Sequence, residues 1–190
     1  MKSMCVLAAG LLLASPMTGF GQDWYTKAVK SVDLTVSPAE AKPGQTVTVL
    51  LTLELNEKYH TYPLTQPDSK AADMVNSITF PEADLKGLIF VGKAKDPKNP
   101  IKKAEPLLGI KEFHTFEGIV TYERPAVVSP KASGTVSVSI PKFVIQVCDE
   151  TNCFPVKTLN PACKLNVAGP AVEISKEYKS DVEKALSGKK

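Results

Sequence analysis

The chain has 190 residues, 43% of them apolar, with 23 basic against 20 acidic side chains and a net charge of +3. That length suits one ordinary globular domain, and the mild charge, with no Lys/Arg stripe, excludes an acidic tail protein and gives no footing for nucleic acid. Fifteen prolines and eleven glycines favour many turns and short strands over long helices.

Residues 1–21 carry Lys2, an apolar run over Val6 to Ala14, and the small residues Gly19 and Gly21 just before Gln22. That is the pattern of a secretory signal peptide cut after residue 21, with an apolar run too short to span a bilayer. Cys5 precedes the apolar run, so it is not placed as a lipid-attachment cysteine. The domain is expected over 22–172, with 173–190 as a polar tail or short helix. Nothing later in the chain is apolar enough to insert into a membrane, and export places the product in an oxidising compartment. The mature chain keeps Cys148, Cys153 and Cys163. An odd number leaves at least one thiol without an intrachain partner.

The strands follow in chain order. Val32 to Pro38 is a strand stopped at Pro38, and Lys42 to Gln45 is a turn. In 46–55, Val47, Val49, Leu51, Leu53 and Leu55 share one parity, so this strand buries one face. Residues 78–83 and 88–94 are short strand candidates. Residues 95–106, rich in proline and lysine, are expected as an exposed loop. Residues 116–129 and 134–147 are strands, with a turn at Ser133-Gly134, and one or two more follow between Phe154 and Val167. Regular strands at this spacing predict an all-β, immunoglobulin-like sandwich.

Parity shifts inside 134–147. Val136, Val138 and Ile140 are even, whereas Phe143, Ile145 and Val147 are odd. A bulge or bend at Pro141 accounts for that. Cys148 ends this run, the polar loop Asp149 to Asn152 follows, and Cys153 closes it. Two readings of the pair stand open on spacing alone. A hairpin disulfide closing so short a ring is worth about 2 kcal/mol in the chain-entropy model, little for a domain of this size. A reversible dithiol on an exposed loop is the other. Zinc would find too few ligands, with two clustered thiols and the two distant histidines His60 and His114. A cysteine–histidine hydrolase would need a thiol kept reduced beside a second one. Cys163 shares parity with Leu165 and Val167 and is expected as a buried thiol.

Three ordered motifs, Tyr59-His60-Thr61-Tyr62, Glu112-Phe113-His114 and Gln146-Val147-Cys148 through Cys153-Phe154-Pro155, resemble the amino-terminal, disulfide-bond corrector domain of the DsbD thiol:disulfide interchange proteins. The resemblance spans about residues 32–168. It implies an immunoglobulin-like fold in the periplasm and a redox-active Cys148–Cys153 pair with no cofactor and no metal. The pair would receive electrons from a membrane thiol transporter, directly or through a thioredoxin-like domain, acting in trans on this one domain. It would pass them to periplasmic thioredoxin-like proteins, including factors of cytochrome c biogenesis. It also implies that Phe113, between Glu112 and His114, caps the pair, and that His60 and Tyr62 stand beside it. His60 replaces a tyrosine of some members, and Cys163 lies outside the pattern. Asp149 and Glu150 would add negative charge that disfavours thiolate. The alternative from another class is a non-catalytic immunoglobulin-like binding module with a permanent disulfide.

Overall fold

The computed structural model describes residues 23–81, 83–84 and 86–187; the expected signal peptide, 1–21, lies outside them. Among these residues the chain is a β-sandwich with a short helix at each end. Helix α1 is Asp23–Ala28. The strands are β1 Val29–Ser37, β2 Glu40–Ala41, β3 Thr46–Leu55, β4 His60–Thr61, β5 Ser77–Thr79, β6 Leu88–Phe90 and β7 Ile101–Glu105. They continue with β8 Ile110–Glu117, β9 Ile119–Val128, β10 Gly134–Ser139, β11 Lys142–Ile145, β12 Val147–Cys148, β13 Lys157–Leu159 and β14 Ala162–Val167. Helix α2 is Lys179–Leu186.

The longest ladders run through β1-β3-β9-β6. Strand β3 pairs antiparallel with β1 on one side and with β9 on the other, from Thr46↔Val127 to Glu54↔Ile119. Its odd residues, Val47 to Leu55, are all buried, and its even residues are all half-buried. The strict alternation is the cause: one face meets the core and the other meets solvent. Facing that core are Val136 and Val138 of β10, Leu165 and Val167 of β14, and Phe143, Ile145 and Val147 of β11 and β12. The other face of β9 is covered at one end, where Val127 joins Ile89, Val91 and Val182 of α2. The expected strand over 46–55, the turn at Lys42–Gln45 and the sandwich itself are all present.

The parity shift at Pro141 has a topological cause. Strand β10 belongs to the sheet β10-β14-β2, whereas β11 belongs to β13-β11-β5. The chain changes sheets between them, with Ile140 and Phe143 both fully buried. Residues 101–105, expected within a loop, form strand β7 instead and pair with β8 from Ile101↔Thr115 to Glu105↔Ile110. An edge strand exposed on both faces needs no apolar alternation, so lysines and prolines around it do not forbid it. Cys163 is half-buried rather than buried, because it stands near the start of β14, two positions before the fully buried Leu165. Burial pushes its thiol pKa up.

Candidate functional site

Cys148 and Cys153 are joined by a disulfide with Cα atoms 4.0 Å apart. The bond spans a tight hairpin. Asp149 N–H donates to the Asn152 carbonyl at 2.9 Å and Phe154 N–H donates to the Val147 carbonyl at 3.0 Å. The two cysteines sit between these bonds as a non-hydrogen-bonded pair, the closest pairing an antiparallel ladder provides. Local chemistry makes the turn. One Asp149 carboxylate oxygen accepts from the Thr151 N–H at 2.8 Å, the Asn152 N–H at 2.7 Å and the Thr151 hydroxyl at 3.0 Å. Those backbone donors hold the Asp149 carboxyl below its ordinary value, so the charge beside the sulfurs persists into acid. Glu150 is exposed at the hairpin tip.

The two sulfurs are not equivalent. Cys148 is 1% exposed, while Cys153 is exposed. The Tyr62 hydroxyl lies 3.2 Å from Cys148 Sγ and 3.6 Å from Cys153 Sγ. Disulfide sulfurs carry no hydrogen, so the phenol is the donor. Burial raises its pKa, which keeps it protonated.

Register places the neighbours. Cys148 pairs with His60, and His60 pairs with Glu117. Directly opposed residues share a face of a sheet, so Cys153, Cys148, His60 and Glu117 form one row across it. The His60 ring meets Tyr62 edge to face at 5.8 Å. Burial, then the Lys103 ammonium, push the His60 pKa down, against the smaller pulls of Glu117 and Asp149.

Phe113 lies on β8, which shares that sheet, two strands away from β12. It is on the same face as Glu117, four positions along, and opposite Lys103. The segment that the resemblance gives as a cap loop is thus strand here. Its flanks are tied down: Gln66 accepts from the His114 N–H at 2.8 Å and donates to the His114 carbonyl at 3.0 Å, and Asp68 accepts from the Lys111 N–H at 2.9 Å. These two side chains satisfy backbone groups beyond the end of the short β4–β8 ladder. Glu112 accepts from His114 Nε2 at 2.9 Å and pairs with Lys102 at 3.2 Å, and both partners lower its pKa. Cys148, Cys153, His60, Tyr62 and Asp149 therefore gather at one place, with Glu150 at its rim. Glu112 and His114 pair with each other on the adjoining strand.

The layer under the sulfurs is a buried polar network that sequence reading missed. Asn76 is 1% exposed, Thr61 0% and Tyr122 1%. The Asn76 amide nitrogen approaches Thr61 Oγ1 at 2.8 Å, the Tyr122 hydroxyl at 2.7 Å and the Tyr62 carbonyl at 2.9 Å. Its amide oxygen accepts from the Gln146 N–H at 2.9 Å. The Thr61 hydroxyl donates to the Gln146 carbonyl at 2.7 Å, and the Tyr122 hydroxyl donates to the Tyr62 carbonyl at 2.6 Å. The proton count closes. The two amide hydrogens go to Thr61 and Tyr122, whose own hydrogens are already placed, and the Tyr62 carbonyl is served by Tyr122. Gln146 lies between β11 and β12, so Asn76 ties that break to β4 and fixes Tyr62 beneath the sulfurs. The one signal available was Tyr122, a tyrosine on the buried parity of β9, which needs a hydrogen-bond partner.

Among the described residues no group of three or more His, Cys, Asp or Glu is placed to hold a metal ion. Nor is any helix among them long and apolar enough to cross a membrane.

No family model and no curated protein matches the chain. Among solved structures it is similar to the N-terminal periplasmic domain of ScsB from Proteus mirabilis, at 13% identity and a TM-score of 0.39, over 78% of this chain and 50% of that one. It is similar also to a C-terminal fragment of the major pilin GBS80 of Streptococcus agalactiae, at 12% identity and a TM-score of 0.35, over 74% of this chain and 56% of that one. A third is the sixth cohesin of Acetivibrio cellulolyticus scaffoldin B, at 13% identity and a TM-score of 0.35, over 73% of this chain and 99% of that one. The chain spans about half the length of the ScsB structure that it resembles. What the site can do is carried by its own residues.

Proposed function

We propose that this chain is a periplasmic thiol–disulfide interchange domain that relays reducing equivalents through Cys148 and Cys153. Electrons come from a membrane thiol transporter, directly or through a thioredoxin-like domain, and go to thioredoxin-like clients, including those of cytochrome c biogenesis. The observation that carries the reading is the asymmetry of the bond. One sulfur is open to a partner, the other is enclosed, and a buried phenol donates toward both. The likeness of the three sequence motifs to the DsbD amino-terminal domain supports the same reading.

The chemistry balances within two dithiols. A partner thiolate attacks Cys153 Sγ, the Cys148–Cys153 bond breaks, and Cys148 leaves as a thiolate that takes up a proton. The Tyr62 hydroxyl is in place to hydrogen-bond that departing sulfur as its charge develops. The partner's second thiolate then attacks its own sulfur of the mixed disulfide and releases Cys153. Two electrons have moved, leaving a dithiol here and a disulfide on the partner. Delivery to a client is the reverse: Cys153 attacks the client disulfide and Cys148 resolves the intermediate. The anionic Asp149 and the enclosure of Cys148 both slow stray oxidation of the waiting dithiol. Phe113, as a cap, would slow it further by exclusion. His60 and Glu150 border the exchanging sulfurs in this reading, while Glu112 and His114 flank Phe113 and pair with each other.

Trapping tests the roles. Cys148→Ser should accumulate a covalent complex with a thioredoxin-like partner through Cys153, because the resolving sulfur is gone. Cys153→Ser should trap little, because Cys148 is enclosed. Equal trapping by the two variants reverses the assignment, and no trapping by either from a periplasmic extract favours a permanent disulfide.

A further inference from the structure

The direction of the disulfide fixes where a partner must stand. Because Cys148 and Cys153 face each other across a hairpin, their bond runs across the strands, from β12 toward the open edge at residues 153–156. A thiolate displaces a disulfide sulfur in line with the bond, so it enters from beyond that edge and onto Cys153. The mixed disulfide then holds the partner's Cα within about 4.4–6.8 Å of that of Cys153. The partner's backbone therefore passes close to the residues that flank Cys153.

Those residues form an open edge. In a non-hydrogen-bonded pair the N–H and C=O of each residue turn away from its partner, so those of Cys153 point outward over the edge. Pro155, which has no N–H to offer, and Val156 follow in the chain, and both are exposed, Val156 at 62%. The Phe154 ring, next to Cys153 in the chain, stacks on Trp24 of α1, with centroids 5.3 Å apart and planes 2° from parallel. Tyr59 meets the same ring at 6.1 Å. Beyond the hairpin is an open cleft of about 240 Å³, lined by Lys58, Tyr59, Asp149, Glu150 and Thr151. Stacked aromatic side chains and an exposed aliphatic one within two residues of each other in the chain, with a charged rim, are the composition of an interface centre.

We propose that the outer edge of Cys153 to Val156, with the Trp24–Phe154 stack, is the docking strip for the cysteine-bearing segment of a thioredoxin-like protein partner. That segment carries apolar residues beside its cysteine, which lie against the edge. This rests on the relay reading and says which surface selects the partner.

The test compares a protein reductant with a small one. Reduced thioredoxin and dithiothreitol are each used to reduce the full oxidised protein, and the ratio of the two rates is taken for wild type, Val156→Asp and Trp24→Leu. Val156 is exposed, so its replacement leaves the fold in place. The ratio should fall about tenfold in Val156→Asp and about threefold in Trp24→Leu. A ratio within about twofold of wild type in Val156→Asp overturns the docking strip. A thioredoxin that cannot reduce the wild-type protein at all overturns the relay reading instead, and this inference falls with it.

Discussion

Two sheets of the molecule are built on opposite terms. In β1-β3-β9-β6, β3 pairs with β9 in continuous register from Thr46↔Val127 to Glu54↔Ile119, and the inner face of β3 is wholly apolar. In β12-β4-β8-β7, the pairs around the disulfide are only two residues long. What the second sheet lacks in ladder it makes up with buried side-chain hydrogen bonds from Asn76, Thr61 and Tyr122, and with Gln66 and Asp68 along β8. The lesson is about uses. A long apolar ladder is stable and chemically silent. A short ladder propped by polar groups can hold a reactive bond at an edge, with a donor aimed at it.

The largest effects should separate the two sheets. Leu53→Ala, in the long ladder, should lower stability by about 2–5 kcal/mol, because a fully buried side chain leaves a cavity. The folded fraction should still be reduced by dithiothreitol at the wild-type rate. Asn76→Ala should cost about 3 kcal/mol, by stranding the buried partners of its amide. It should also change the reduction rate, since Tyr62 loses its seat. Denaturant melts and stopped-flow reduction of the same samples decide the matter. A reduction rate left unchanged by Asn76→Ala would mean that the network supports only the fold.

Tyr62→Phe should act in the opposite sense. It removes one hydroxyl and no core volume, so stability should move by about 1 kcal/mol or less. Reduction by a small thiol should slow about three- to tenfold, because the departing Cys148 thiolate loses its donor. An unaltered rate would show that the phenol merely packs against the sulfurs.

The smallest effect is one of pH. His60 has its pKa held below the ordinary 6.5 by burial and by Lys103. Between the folded value and 6.5 the unfolded chain binds more protons, so the contribution of His60 is fully present above 6.5. It is lost as pH falls through the lower, folded value. Urea midpoints should therefore drop more in wild type than in His60→Gln as pH is lowered from about 7.5 to about 5. Equal drops in the two proteins would place the acid sensitivity elsewhere.

How far the sequence could be read follows from the same contrast. Strand β3 announces itself because five alternate residues are apolar, and the sheet change at Pro141 shows as a flip of parity. Both are repeating signals. The two-residue strands β2 and β4 carry no period, and β7 hides among lysines because an edge strand buries almost nothing. Helix α1 is too short to show a helical repeat. At the site, the spacing of Cys148 and Cys153 and the polar loop between them marked the hairpin. Tyr62 and Phe113 came only from the likeness to a family, since nothing local distinguishes them from core aromatics. Asn76 was silent: a single asparagine before a three-residue strand becomes a hub only through Tyr122 and Gln146, which are 46 and 70 positions away. The aromatic stack was silent too, because Trp24 and Phe154 are joined by no pattern along the chain.

The measurement that bears most directly on the relay is the midpoint potential of Cys148–Cys153. It can be read by equilibrating the protein in glutathione buffers and counting alkylated cysteines by mass spectrometry. An interchange domain must take electrons from its donor and pass them to thioredoxin-like clients, so its midpoint should lie between about −120 and about −300 mV. A midpoint below about −300 mV, where structural disulfides of exported proteins lie, would contradict the relay and leave a permanently bonded binding module.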